Sequence, residues 1–303
     1  LSILYFDCFS GISGDMVIGA LIHAGADPAL MEKELKKLNI QEEYELKWTN
    51  VIKNGISAVK FDVLLKDVHD HSHEHSHVHS HDHSHDHSHD HSHDHSHDHS
   101  HDHSHEHSHD HSHDHNHDHS HDHSHGHSHS HDHHGQRNYK QIVQMIESAG
   151  FSDSVRDMAL RIFRKIGEAE GRIHGVTLEK VHFHEVGAVD SIIDIIGTAI
   201  LIDQLGVTAV KSSPVPVGTG KISIDHGIYP VPAPATLEIL KGVPVLGGDV
   251  RGELATPTGA AIVSVLADEF CSLPSMKVKS IGYGAGTKTF REHPNVLRVI
   301  LGE

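Results

Sequence analysis

The chain has 303 residues, 24 Lys and Arg against 42 Asp and Glu, and a formal net charge of −18 with its 40 histidines counted neutral. No basic surplus points to nucleic acid. Two cysteines, Cys8 and Cys271, make no disulfide framework and suit a reducing cytoplasm. No basic stretch followed by an apolar run opens the chain, so no signal peptide is visible, and the first residue, Leu1, suggests that an upstream start is missing. The most apolar stretch, 192–202, is short and carries Asp194, which argues against a membrane span.

Ile3-Leu4-Tyr5-Phe6 is an apolar run expected to form a buried strand. It enters a Gly/Ser loop, Asp7-Cys8-Phe9-Ser10-Gly11-Ile12-Ser13-Gly14-Asp15, before a helix faced by Met16, Val17, Ala20, Leu21 and Ala24. A strand, a glycine loop and a helix N-terminus make a cradle for phosphate, with Gly11, Ser13 and Gly14 as candidate cofactor contacts, although the spacing matches neither common nucleotide fingerprint. Asp7 and Asp15 would suit a bridging metal, and Cys8 would add a soft ligand. The alternative is a tight turn with Asp15 placed favourably against the helix dipole. Asp27-Pro28 starts a second helix. Alternation at Tyr44, Leu46 and Trp48, the Asn54-Gly55 pair, and Val59, Phe61, Val63 and Leu65 spell a hairpin.

From His69 to His133 every odd position is histidine, and His134 follows, so that 34 of the 40 histidines fall in one tract. Its ends are marked by His69, His71 and His73 and by His133 and His134. Imidazole suits nickel, zinc, copper and iron, and interleaved Ser and Asp add oxygen ligands. With Val78 as its one aliphatic residue, the tract cannot offset the entropy of ordering and is expected to be a disordered metal reservoir. At three to six nitrogens per ion it would hold roughly six to eleven ions. The tract contains 14 of the 42 acidic residues and no Lys or Arg, so the remainder carries 24 basic against 28 acidic residues, a charge of −4.

Beyond Gly135, Tyr139, Ile142, Val143 and Ile146 mark one helix and Val155 through Ala169 a longer amphipathic one. Then comes Val181-His182-Phe183-His184-Glu185-Val186-Gly187-Ala188-Val189-Asp190, leading into a helix apolar nearly all round that contains Asp194. If 181–184 is extended, His182 and His184 share a face. Two imidazoles with Asp190 and Asp194 make a candidate site for a divalent metal or a metal-linked phosphate. The plainer reading has Asp190 capping the helix and the histidines satisfied in a cleft. Pro/Gly-rich loops at 213–220 and 225–234 follow, the second offering His226 and Tyr229 as site candidates or serving as a fixed connector. Residues 253–259 cap a further helix, Gly282-Tyr283-Gly284-Ala285-Gly286 is a weak phosphate candidate without a P-loop lysine spacing, and 296–301 reads as a strand.

The loop at 7–16, the inserted histidine tract, the segment His182–Asp190 and the stretch His226-Gly227-Ile228-Tyr229-Pro230-Val231-Pro232-Ala233-Pro234-Ala235-Thr236 together resemble LarC-type nickel-insertion proteins. The resemblance spans nearly all of the sequence outside the tract. It implies insertion of Ni2+ into pyridinium-3,5-bisthiocarboxylic acid mononucleotide, with a carbon–nickel and two sulfur–nickel bonds, in a CTP-dependent reaction that uses a further divalent metal. The product would serve lactate racemase and other nickel-pincer-dependent apoenzymes. Family members carry a C-terminal region with the CTP site, and this sequence ends at Glu303, near where that region is expected to begin.

The expectation is therefore a mixed α/β protein with one or two ordered domains: an N-terminal β-α-α-β-β unit over 1–68, a His-rich insertion over 69–135, and a helix-rich α/β region over 136–303. Its reaction would use His182, His184, Asp194, Asp7 and Asp15 on the metal, Glu185 or Asp190 as acceptor of the proton lost from the ring, and Gly11, Ser13, Gly14 and His226 on the mononucleotide. A nickel store without catalysis, or a metal-dependent phosphohydrolase using Asp7, Asp15, His182 and His184, are the rival expectations.

Overall fold

The computed structural model describes residues 2–66, 137–183, 188–224, 227–291 and 293–303. The expectations for the His-rich tract, and for His184, Glu185 and His226, lie outside the described residues.

The apolar run near the start forms β1 (Ile3–Asp7). The hairpin signal at Asn54-Gly55 joins β2 (Tyr44–Lys53) to β3 (Ile56–Leu65), and both turn residues take positive φ, 47° and 83°. Four more strands, β4 (Ala209–Ser212), β5 (Glu269–Phe270), β6 (Val278–Ala285) and β7 (Val296–Gly302), complete a seven-stranded sheet in the order β5-β4-β1-β7-β6-β3-β2. Strand β1 runs parallel to β4 and antiparallel to β7, with Ile3 opposite Gly302. The segments before and after the tract, 1–68 and 136–303 in the sequence reading, thus share one sheet, which lies within a single compact unit.

Helix α1 (Gly14–His23) lies on this sheet, against β3, β6 and β7. Its seat explains the glycines of β6. A methyl group on Gly284 would lie 1.8 Å from the Met16 carbonyl oxygen, and one on Gly282 would lie 2.0 Å from that of Ala20. The glycine-rich stretch at 282–286 is therefore largely a strand that lets a helix approach closely, and the weak phosphate reading is not needed to explain it.

Outside α1 come α2 (Pro28–Leu35), capped by the Asp27 side chain, and α3 (Tyr139–Ser148), opened by a capping box of Asn138 and Gln141. Then come α4 (Asp153–His174) and α5 (Val189–Gln204). Helix α5 packs against α1, α2, α4 and α7 (Pro257–Leu266), which accounts for its apolar circumference. Each of its buried isoleucines, such as Ile192, Ile193, Ile195 and Ile196, contributes on the order of 1.5–3 kcal/mol by leaving water. The short helix α6 (Pro234–Ile239) packs on α4 and α7.

Paired two-residue strands, 215–216 with 245–246 and 218–219 with 252–253, fix the loops rich in Pro and Gly. They carry residues 252–256 to the loop that follows β1.

Candidate functional site

The loop between β1 and α1 is held by close contacts that leave no room for side chains at Gly11 and Gly14. Gly11 takes φ 97°, donates to the Cys8 carbonyl at 2.7 Å, and would drive a methyl group to 2.0 Å from the Leu254 oxygen. Ile12 donates to Leu254 at 2.9 Å and accepts from the Thr256 N–H at 3.1 Å, which stitches the loop to the N-terminus of α7. The N-termini of α1 and α5 reach the same place. All three helix starts line one cavity of about 400 Å3, through Ser13, Gly14 and Asp15, through Asp190, Ser191 and Asp194, and through Thr256, Pro257 and Thr258.

Acidic groups in first helical turns are favoured by the helix dipole, which suits Asp15 and Asp190. Asp15 accepts a hydrogen bond from the Ser13 hydroxyl and faces Lys60 Nζ at 3.0 Å. Lys60 also bonds Asp62 at 2.7 Å and the Phe61 carbonyl at 2.7 Å. Burial works against its charge, but Asp15 and Asp62 outweigh that and hold Lys60 above its ordinary value.

Asp194 differs from these. It sits in the second turn of α5, partly buried, and its Oδ1 is shielded from solvent with no hydrogen-bond partner among the described residues. Its carboxylate lies so close to Gly14 that a methyl group there would stand 2.5 Å from Oδ2. Gly14 is glycine because Asp194 occupies the space of its side chain. Burial, then the charges of Asp15 and Asp190, push the Asp194 carboxyl well above the usual carboxylate range, while Lys60 and the Asp15 backbone N–H oppose the rise.

The other sequence candidates separate. Asp7 is paired with Arg298, whose Nε donates to Oδ2 at 2.7 Å, and Arg298 in turn lies over the Phe9 ring. Cys8, expected as a soft ligand, is fully buried, and burial pushes its thiol up to about 12 despite hydrogen bonds from Ser212 and Ser213. It belongs to the core and does not line the cavity. His182 is exposed, bridges to Asn138, and lines a different pocket with His174 and Lys180. Among the described residues no group of three or more His, Cys, Asp or Glu is arranged to hold a metal ion.

Lys60, Asp62, Glu253 and Thr258 line the cavity without having been singled out in the sequence. Lys60 and Asp62 carried one signal, charged residues alternating with the apolar ones of β3. Ser10, fully buried, bonds His293 at 2.8 Å and donates to the Pro294 carbonyl, a brace between the loop and the entry to β7 that no local pattern announced.

A model of the family described as "Nickel insertion protein" matches residues 4–303. The chain is 43% identical, over its whole length, to the pyridinium-3,5-bisthiocarboxylic acid mononucleotide nickel insertion protein of Geobacillus kaustophilus, of which it spans 60%. It is 42% identical over its whole length to the protein of the same name from Clostridium kluyveri, spanning 62% of it. A third relative of that name, from Staphylococcus epidermidis, is 38% identical over 98% of the chain and is spanned to 58%. The chain thus spans about three-fifths of the length of these relatives. No solved structure matches it. With one match running from β1 through β7, the chain belongs to the nickel insertion protein family.

Proposed function

We propose that this chain is the nickel-handling part of a chelatase-type enzyme that inserts Ni2+ into pyridinium-3,5-bisthiocarboxylic acid mononucleotide. The observation that carries the reading is identity of about two-fifths, over the whole chain, to relatives whose names state that reaction. The cavity supports it physically. It is of a size to admit a mononucleotide's ring or phosphate, helix N-termini face it, and its carboxyls can move protons.

In this reading nickel is a substrate, collected by the His-rich tract and delivered to ligands that exchange. His182 and His184, together with Asp194, Asp7 and Asp15, remain the ligand proposals from sequence. Of these, Asp15 and Asp194 line the cavity, whereas Arg298 engages Asp7 and His182 lines a different pocket. Gly11 and Gly14 serve the cavity through backbone geometry, while Ser13 and His226 are left as polar contacts for the mononucleotide. Use of CTP with a divalent metal, and passage of the product to an apoenzyme such as lactate racemase, belong to the same proposal.

The test is nickel insertion followed by the optical spectrum and mass of the mononucleotide product. The chain is assayed alone and with the segment that completes its relatives' length, each with and without CTP. The expected outcome is nickel-bearing product in the completed, CTP-containing reaction. Failure of the chain to bind the mononucleotide in either form, while it retains nickel, would favour a metal store. Release of phosphate from simple esters would favour a phosphohydrolase, a reading that the Asp7–Arg298 pair already weakens.

A further inference from the structure

We infer that His174 and His182 form a nickel transfer site, placed where the chain returns from the His-rich tract and apart from the cavity at the three helix starts. The inference rests on the function proposed above, in which nickel is a substrate. Both histidines line one pocket of about 320 Å3, with Val176, Lys180 and Val181 as its other walls. His174 is the last residue of α4 and is followed by Gly175 in the left-handed conformation. Its ring therefore stands at the carbonyl end of a 22-residue helix, where positive charge is favoured. One turn back, the buried carboxylate of Glu170 lies 3.2 Å from His174 Nε2. A neutral imidazole that donates Nε2–H to a carboxylate carries its lone pair on Nδ1, and metal-binding histidines are commonly oriented and made more basic in this way. His182 is held differently. Its neighbours Val181 and Phe183 are buried, Phe183 against the rings of Tyr139 and Phe163, and His182 itself is exposed.

The location gives this pocket its use. His182 pairs with Asn138 in an antiparallel bridge, and the Tyr139 N–H donates to the Val181 carbonyl at 3.3 Å. His134, the last histidine of the tract, stands four residues before Asn138, and four residues reach at most about 14 Å. The tract is thus tethered beside the pocket, which raises the local concentration of any nickel it carries. From His182 the chain runs on into α5, whose Asp190 and Ser191 line the cavity. Imidazole suits nickel, but two imidazoles hold it weakly. Among the described residues no third His, Cys, Asp or Glu completes a metal cage, and Lys180 brings a positive charge to the pocket. An ion held there keeps water in its remaining positions and can be passed on. Transfer is ligand exchange: tract imidazoles leave, His174 and His182 take their place, nickel stays divalent, and no electron moves.

Metal ligation slows exchange of an imidazole's ring C2 hydrogen, which gives a readout independent of activity. The full chain is held in heavy water with and without nickel in excess of the tract's capacity, and exchange is read by mass at His174 and at His182. The expected result is that nickel slows exchange severalfold at both, and that His174→Ala abolishes the slowing at His182 while the tract stays loaded. Exchange at either histidine untouched by nickel in the wild type, or protection of His182 that survives His174→Ala, would overturn the site. Circular dichroism follows the fold of the variant, and the wild-type measurement decides without it. In the completed, CTP-containing reaction, His174→Ala should raise the nickel KM by about tenfold with kcat unchanged, as expected when tethered supply is lost. A fall in kcat at unchanged KM would mark His174 as structural and overturn the transfer role. Absence of mononucleotide binding by the wild type would remove the insertion function and the transfer role with it, and it is read separately from exchange.

Discussion

At the scale of single residues, the buried carboxyl of Asp194 has a cost that can be measured apart from any activity. The folded state holds its proton more tightly than the unfolded chain does, because of burial and then of Asp15 and Asp190. An acid with a raised folded pKa withdraws stability as pH climbs from the unfolded value, about 3.9, toward the folded one. The penalty is absent below that window and complete above it. Asp194→Asn removes the ionisation. Its melting temperature should therefore differ little from wild type at pH 4 and exceed it increasingly toward pH 8. Thermal melts at several pH values check this, and a gap that stays constant across the series would show that Asp194 is not the group responsible. The same residue marks the limit of sequence reading at this scale. Its burial was legible from the isoleucines around it, whereas its contact with Gly14 depends on α1 and α5 crossing, which no local pattern encodes.

Helices and strands were largely readable where a short-range signal specifies them. The Asn54-Gly55 turn, the Asp27 cap and the capping box at Asn138 all stand where the residues place them. Sheet order was not, because β7 inserts between β1 and β6 from the far end of the sequence and pairing partners leave no mark on one another's periodicity. The glycines of β6 show how a composition signal can mislead, since glycine serves a phosphate loop and a close helix–strand contact equally well. That second role gives an expectation at this scale. Gly284→Ala forces a methyl group onto the Met16 carbonyl and should cost about 1–3 kcal/mol or more through overpacking. Gly248→Ala, with nothing within 4 Å of the new methyl and no positive φ, should be close to neutral. Urea unfolding midpoints of the two variants, compared with wild type, test the contrast, and equal losses would remove the packing explanation.

For the whole molecule, supply of nickel and chemistry on the mononucleotide are expected to separate. The tract is spliced between β3, whose Lys60 and Asp62 line the cavity, and α3. Deletion of 69–134 should lower bound nickel steeply yet leave insertion nearly intact when nickel is abundant, because a reservoir acts through local concentration. His182→Ala combined with His184→Ala should do the reverse. Metal analysis and insertion rates at scarce and saturating nickel, for both variants, provide the check. A tract deletion that stays inactive in excess nickel would join the two functions. Composition marks where the tract lies in the sequence, but not that the segments flanking it build one sheet.

The pairing of Ile3 with Gly302 has a consequence in time. A strand that waits for its neighbour from the opposite end of the sequence spends synthesis with one edge open, and β1 has β7 for that neighbour. The sheet's centre is thus its last part to close. Contacts so distant along the chain slow folding and prolong the exposure of unpaired backbone. While that edge is open, the α1 start that β1 leads into, and with it the cavity, has no finished sheet to rest on. Competence to bind the mononucleotide should therefore arrive late and in one step, when β7 docks.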